Sequence, residues 1–353
     1  MSTLAMSASA AQDAIEAIIK AKKVPLLKGP PGVGKSWINR NIAEKYNLKL
    51  IDVRMTQLEP PDFVGFPSID FETGKSRYFP MDMFPLEGDP LPDGYSGWYI
   101  FFDELTSANL DMQACAYKVI LDRMIGQNNL HNRCVLAAAG NGVNDSAIVH
   151  EMSSALVSRF VHINVRSDFK TFRNVALELG FDHRIRSFME FKPNVVNNFD
   201  PDKLGLEDTY ACERTWHFLS DIMKDTPPDS PLALYVYAGT VGEGIAREFI
   251  GFCKVYHSLP KISEIISNPE TIGIPIEPGT LYALTGSLAE NTTTENVNKL
   301  MQYIKRMPLD FQVVTLRQII HQNREMMHTV PAIADWIDTQ SVDLFYQRGE
   351  QYV

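Results

Sequence analysis

The chain has 353 residues, 45% hydrophobic and 22% charged, which is enough for two or three domains with real cores and ordinary for a globular protein. No apolar run approaches the roughly 18 residues that cross a bilayer. Residues 1–10 lack the basic region and apolar core of a signal peptide, so a cytoplasmic location away from membranes is expected. The net charge of −10 argues against a broad positive face for duplex nucleic acid, though not against a locally basic pore or groove. Cys115, Cys134, Cys212 and Cys253 form no C-x-x-C pair and have no histidine pairs at ligand spacing, so they read as idle or buried thiols.

In chain order, residues 12–22 place Ala14, Ile15, Ile18 and Ile19 on one face, which predicts an amphipathic helix leading into a short buried strand at 24–27. The next stretch, Gly29-Pro30-Pro31-Gly32-Val33-Gly34-Lys35-Ser36, fits G-x-x-x-x-G-K-[ST] at every fixed position. A glycine-rich turn after a strand aims backbone N–H groups inward, and the following helix N-terminus adds partial positive charge, so a polyphosphate can settle there. Lys35 is expected to reach the outer phosphates and the Ser36 hydroxyl to hold Mg²⁺, with Trp37 opening a helix over 37–46. Residues 48–53 alternate as a second strand ending near Asp52 and Arg54. Thr73-Gly74-Lys75 offers a turn for a short hairpin within 69–79, and 79–97, rich in proline and glycine, reads as loop.

Trp98-Tyr99-Ile100-Phe101-Phe102 predicts a fully buried strand that delivers Asp103 and Glu104 at its C-terminal end, where open parallel sheets bind ligands. Alternation sends the two carboxylates in different directions: Asp103 suits Mg²⁺ through its water shell, Glu104 the water that attacks a terminal phosphate. A strand ending in Asp-Glu can equally be a solvated strand end; a full phosphate loop upstream favours the catalytic reading. A helix over 110–124, a turn at 126–129 and a buried strand over 133–141 follow. That strand ends at Asn141, which is either an ordinary turn asparagine or a group that orients the attacking water or a phosphate oxygen. A short helix at 152–157 then delivers Ser158-Arg159-Phe160 to a strand at 161–165.

The series of residues 29–36, Phe102-Asp103-Glu104, 138–141, Ala155-Leu156-Val157-Ser158-Arg159-Phe160 and Cys212-Glu213-Arg214-Thr215-Trp216 resembles an AAA+ ATPase, with Walker A, Walker B, sensor 1, arginine finger and sensor 2 in family order. Residues 58–65 and 72–79 are most similar to the MoxR-like, helix-2-insert (dynein-related) branch. The resemblance implies a P-loop αβα sandwich with a parallel sheet over 1–165, interrupted by an insert at about 55–97. It further implies an all-α lid carrying sensor 2 over 166–258 and leaves 259–353 as a helical extension without assigned chemistry. ATP and Mg²⁺ are the implied cofactors; Lys35, Ser36, Asp103, Glu104 and Asn141 act on the subunit's own nucleotide, and Arg159 reaches into a neighbour's site. Arg214 is the sensor 2 arginine, although Glu213 stands beside it where many relatives carry proline. A trans-acting arginine implies a homo-oligomeric ring, commonly a hexamer, and MoxR-like relatives act on protein partners with a von Willebrand factor A domain.

Ser167 onward to 224 is helical in pattern, the proline-rich residues 226–231 read as a connector or surface loop, and further helices are expected at 281–286, 297–307 and 311–327. Gly239-Thr240-Val241-Gly242-Glu243-Gly244 lacks the Lys-[ST] pair and reads as a turn entering a helix, and Met301, Met307, Met326 and Met327 read as core filler. The leading expectation is a ring-forming ATPase that remodels or activates a partner protein, with the insert around 69–79 and the turn at 126–132 touching it. The competing readings are a nucleic-acid motor or loader built on the same core, and a nucleotide-gated scaffold with slow turnover.

Overall fold

A computed structural model describes residues 4–142, 150–203 and 208–349. The chain divides into two compact units, residues 1–171 with 199–206, and residues 172–198 with 207–353.

The first unit is built on parallel strands β1 (Ala5–Met6), β2 (Val24–Lys28), β3 (Lys49–Arg54), β6 (Trp98–Asp103), β9 (Cys134–Gly140) and β10 (Phe160–Val165). Two antiparallel hairpins, β4 (Phe66–Asp70) with β5 (Lys75–Phe79) and β7 (Met124–Ile125) with β8 (Asn128–Asn129), stand outside this sheet. Helices α1 (Ala8–Lys20), α2 (Lys35–Lys45), α3 (Pro60–Val64), α4 (Leu110–Asp122) and α5 (Ser154–Val157) complete the unit. The order across the sheet is β1-β10-β2-β9-β6-β3. The central strands are apolar throughout because both faces are covered, as parallel sheets require. Tyr99 and Phe101 of β6 join Leu27, Ala137 and Ala139 under α1 and α2. Trp98, Ile100 and Phe102 join Leu26, Leu136 and Ala138 under α4 on the other face. The period of two along β6 therefore divides one strand between two cores.

Local signals explain where the boundaries fall. α1 starts earlier than its apolar spacing predicts because the Ser7 side chain caps it, accepting from the Ala10 N–H at 3.3 Å. α2 begins at Lys35 because Gly34, at φ 88°, adopts a left-handed cap that side chains rarely tolerate. β1, which composition did not foretell, pairs Ala5 with Asn164 and Met6 with Val165. The stretch after β5 holds no helix or strand before β6 and is tied down by a bridge between Leu86 and Leu130, by hydrogen bonds from the Glu87 N–H to the Asn129 carbonyl and from the Ser96 N–H to the Asn47 carbonyl, and by Phe84 in the core.

The second unit is helical from where α6 (Phe169–Glu178) passes into it. It continues with α7 (His183–Phe191), α8 (Glu213–Ile222), α9 (Ala233–Val241), α10 (Glu243–Lys254), α11 (Ile262–Ser267), α12 (Pro278–Glu290), α13 (Val297–Ile304), α14 (Leu309–Gln322), α15 (Met326–Thr329) and α16 (Pro331–Gly349). Phe188, Trp216, Tyr237, Phe249 and Phe252 interlock in one aromatic core. A second core gathers Leu281, Leu284 and Leu288 of α12 with Leu300, Leu316, Ile319 and Trp336. Met301, Met307 and Met326 lie in that core, while Met327 is exposed. Gly242, at φ 89°, makes the expected turn between α9 and α10.

Candidate active site

β2 lies between β10 and β9, yet its following helix leads to β3 at the far edge of the sheet. That reversal of direction opens a crevice beyond the C-terminal ends of the strands, where α/β sheets bind ligands. Residues 29–34 cross it. A methyl group on Gly29 would lie 2.4 Å from the carbonyl oxygen of Val165, so only glycine lets the loop lie this close to β10. Val33 is buried under α2, which anchors the loop from below.

The Lys35 ammonium folds back over the loop, donating to the carbonyl oxygens of Gly29 at 2.6 Å and Pro30 at 3.0 Å and to Asn141 Oδ1 at 3.1 Å. Ser36 Oγ donates to Asp103 Oδ2 at 2.8 Å, and the Glu104 N–H donates to Asp103 Oδ1 at 2.9 Å. Four expected site residues from three separated segments therefore meet: Lys35, Ser36, Asp103 and Asn141. Asn141 is further fixed through its own carbonyl, which accepts from Thr106 Oγ1 at 3.0 Å.

Glu104, one residue past the end of β6 and so outside the alternation of the strand, points elsewhere. Its carboxylate accepts a short hydrogen bond from Thr56 Oγ1, just beyond the end of β3. Its backbone, at φ 58°, is left-handed, an uncommon and costly state for a side-chain-bearing residue that clusters at functional sites. A cleft of about 240 Å³ opens beside this strand end, lined by Asp52, Val53, Arg54, Gln57, Leu58 and Met83. Partial desolvation and the neighbouring Asp103 carboxylate push the Asp52 carboxyl above its ordinary value, against the pull of Arg54 and Arg40.

One buried residue that sequence patterning passed over supports the site from behind. Asn39 in α2 donates through Nδ2 to the Lys35 carbonyl at 2.8 Å and accepts from the Tyr99 hydroxyl at 2.8 Å. This polar link pins the phosphate-loop helix to the central strand. Thr56 was passed over as well, because a lone threonine in a loop carries no signal of its own.

Arg159 is exposed at the start of β10, where its Nη1 donates to Ser158 Oγ at 3.2 Å. Arg214 is exposed on the first turn of α8, in the second unit. Among the described residues no group of three or more His, Cys, Asp or Glu gathers to hold a metal. The Ser36 hydroxyl and Asp103 carboxylate together fit Mg²⁺, which commonly binds through one or two protein oxygens and takes phosphate oxygens and water for the rest.

Residues 25–160 match the AAA domain of the dynein-related subfamily. This matched AAA domain includes the phosphate loop, both strand-end carboxylates, Asn141, Arg159 and both hairpins, and Arg214 lies outside it. The fold is the AAA+ P-loop αβα sandwich followed by a helical C-terminal part, and the match supports nucleotide binding and ATPase activity in general. No curated protein matches the chain. Among solved structures, a candidate ATPase from Cytophaga hutchinsonii shares 16% identity over 90% of this chain and 82% of its own, with a TM-score of 0.36. The Thermotoga maritima RuvB Holliday junction branch migration motor shares 16% identity over 85% of this chain and 86% of its own, also at 0.36. No helix among the described residues is long and apolar enough to cross a membrane.

Proposed function

We propose that the chain is a MoxR-like AAA+ ATPase that assembles into a ring, commonly a hexamer, and couples ATP hydrolysis to remodelling or activation of a protein partner. The observation that carries the ATPase reading is the meeting of Lys35, Ser36, Asp103 and Asn141 at the strand ends, with Glu104 beside them. The backbone of residues 29–34 and the Lys35 ammonium bind the phosphates; the ammonium exchanges its loop carbonyls for phosphate oxygens. Ser36 and Asp103 hold Mg²⁺, which when bound neutralises charge on the phosphate oxygens. Glu104 accepts the proton of the attacking water, and Asn141 orients that water or a phosphate oxygen.

Arg159, exposed and separate from the cluster in its own chain, acts on a neighbour's nucleotide, which makes the site incomplete in one subunit. Arg214 serves as the sensor 2 arginine of a lid spanning 166–258, and 259–353 extends it. The insert at about 55–97 and the β7–β8 turn face the client. By the MoxR resemblance the client carries a von Willebrand factor A domain. Exposed Phe66, Ile69, Phe71, Tyr78 and Phe79 on the β4–β5 hairpin supply apolar surface for a protein contact.

Glu104→Gln should retain ATP binding while turnover falls by about 10² or more; wild-type turnover would remove the catalytic assignment. Mixing Arg159→Ala with Lys35→Ala subunits should restore activity at mixed interfaces, and no rescue in demonstrably mixed rings would defeat the trans role. Stimulation of hydrolysis by DNA at stated salt, but not by a von Willebrand-type protein, would replace the protein client with nucleic acid.

A further inference from the structure

The two hairpins outside the main sheet are joined to each other at their bases. α3 ends at Val64, and Gly65 leads into β4. Gly65 lies at φ 93°, and a methyl group on it would stand 2.5 Å from the Phe79 carbonyl oxygen and 2.9 Å from the Pro80 nitrogen. The chain entering β4 and the chain leaving β5 therefore touch backbone to backbone, which only glycine permits here. Gly126, in the turn between β7 and β8, repeats the device: it lies at φ 55°, and a methyl group on it would run into the Val64 carbonyl oxygen. Three backbone segments distant in sequence thus meet with no side chain between them.

Hydrogen bonds reinforce the joint. The Lys118 ammonium of α4 donates to the Gly126 carbonyl. The chain beyond β5 is stitched to β8 and the residues after it. The Glu87 N–H donates to the Asn129 carbonyl at 2.9 Å, the His131 N–H to the Pro85 carbonyl at 3.0 Å, and Asn129 Nδ2 to Glu87 Oε2 at 2.9 Å. Both hairpins also stand on one core. Phe63 of α3 packs on Phe84 with ring centroids 5.2 Å apart and on Phe102 at 6.2 Å, and Ile125 and Leu130 belong to the same cluster. Phe102 immediately precedes Asp103 on β6, so this seat is the back of the strand that ends at the nucleotide site.

A two-stranded hairpin is marginal in water by itself, so each takes its order from what it stands on. We propose that β4–β5 and β7–β8 form a single rigid jaw, locked where Gly126 meets Val64 and seated through Phe63 on β6, rather than two independent loops. Loosening the β7–β8 turn then loosens β4–β5, although β6 and α4 lie between them in the chain. The jaw's role rests on the reading that both hairpins face the client. On that reading the client meets one preset surface, and any shift of β6 reaches both hairpins together.

Hydrogen exchange of the full chain, measured without nucleotide or client, tests the joint. Gly126→Ala should raise exchange at least about tenfold in residues 66–79 as well as in 124–130, while α1 keeps its protection. Acceleration confined to 124–130 overturns the jaw. Lys118→Met removes the α4 donor without introducing a clash and covers the case in which Gly126→Ala fails to fold. It should speed exchange about threefold in both hairpins, and a change in only one of them refutes the joint. Spin labels at Lys75→Cys and Gln127→Cys, with the half-buried Cys115 changed by Cys115→Ser, give a second reading. One narrow distance distribution is expected, the same with ADP and with ATP in a Glu104→Gln background. A broad or nucleotide-dependent separation refutes a rigid jaw. Failure of the chain to bind ATP would remove the ATPase reading and leave the joint, read without nucleotide, as measured.

Discussion

Removing the Tyr99 hydroxyl tests whether α2 is held to the sheet by a polar contact or by packing alone. Tyr99 and Asn39 are both 0% exposed, and their hydrogen bond measures 2.8 Å. Tyr99→Phe keeps the ring in its core and leaves Asn39 Oδ1 buried without this donor. A buried acceptor stripped of its donor costs about 1–3 kcal/mol, and in a unit of this size each kcal/mol moves Tm by about 2–4 °C, so a fall of about 4–8 °C is expected at the middle of the range. Asn39 Nδ2 still donates to the Lys35 carbonyl, so the loop keeps its shape and nucleotide affinity should move little. Calorimetry of the full chain reads the Tm, and hydrogen exchange reads whether protection falls in α2 and β6. In an Asn39→Ala background the same change should cost almost nothing, because the acceptor is gone. A Tm shift below about 1 °C, or an equal cost in both backgrounds, would show that the pair is not a structural link.

Three further perturbations probe other parts of the chain. Gly29→Ala drives a methyl group into the Val165 carbonyl at 2.4 Å; the loop must withdraw, and calorimetric titration should show ATP affinity reduced at least about tenfold, roughly 1.4 kcal/mol. Thr56→Val frees the Glu104 carboxylate from its hydroxyl partner; discounted for partial exposure that bond is worth about 1 kcal/mol, so kcat should rise about fivefold with KM for ATP nearly unchanged, and an unaltered kcat would deny Thr56 a hold on Glu104. Asp182 caps α7 and pairs with Arg184 at 2.6 Å. Burial alone would raise its carboxyl, but the Arg184 hydrogen bonds and charge, helped by His183, hold it below its ordinary value. The stability it contributes is therefore present above about pH 4 and lost as pH falls through the depressed value. Asp182→Asn, which keeps the cap, should flatten the acid limb of unfolding below about pH 4, and parallel limbs would contradict the linkage.

The parts of this molecule legible in the sequence were those where chemistry forces residue type and spacing together. A phosphate cradle needs Gly29, Gly34, Lys35 and Ser36 in a fixed register, and a doubly covered strand needs the unbroken apolar run that ends at Asp103. The site's supports were not legible, because each depends on a neighbour distant in sequence. Asn39 in a helix reads as surface until Tyr99 is placed behind it, and Thr56 gains meaning only where β3 lies beside β6. The Gly29 requirement comes from the close approach to Val165, on a strand whose position the local pattern does not reveal. The earlier start of α1 comes from the Ser7 cap, which the apolar spacing over 12–22 does not reveal. In the second unit the helices announce themselves by periodicity, whereas the close approach of α12 to α7 at Gly286, where a methyl group would run into Ser187 Oγ, does not.

The short strand β1 also bears on how the protein behaves in solution. Without it, the six residues of β10 would present an open ladder to any passing chain. With it, the outermost strand on that side is two residues long, too brief to template further pairing. At the opposite margin β3 is longer, but Lys49, Asp52 and Arg54 place charge along it, which discourages another strand from docking. Both ends of the sheet are thereby guarded against edge-to-edge aggregation, one by brevity and the other by charge.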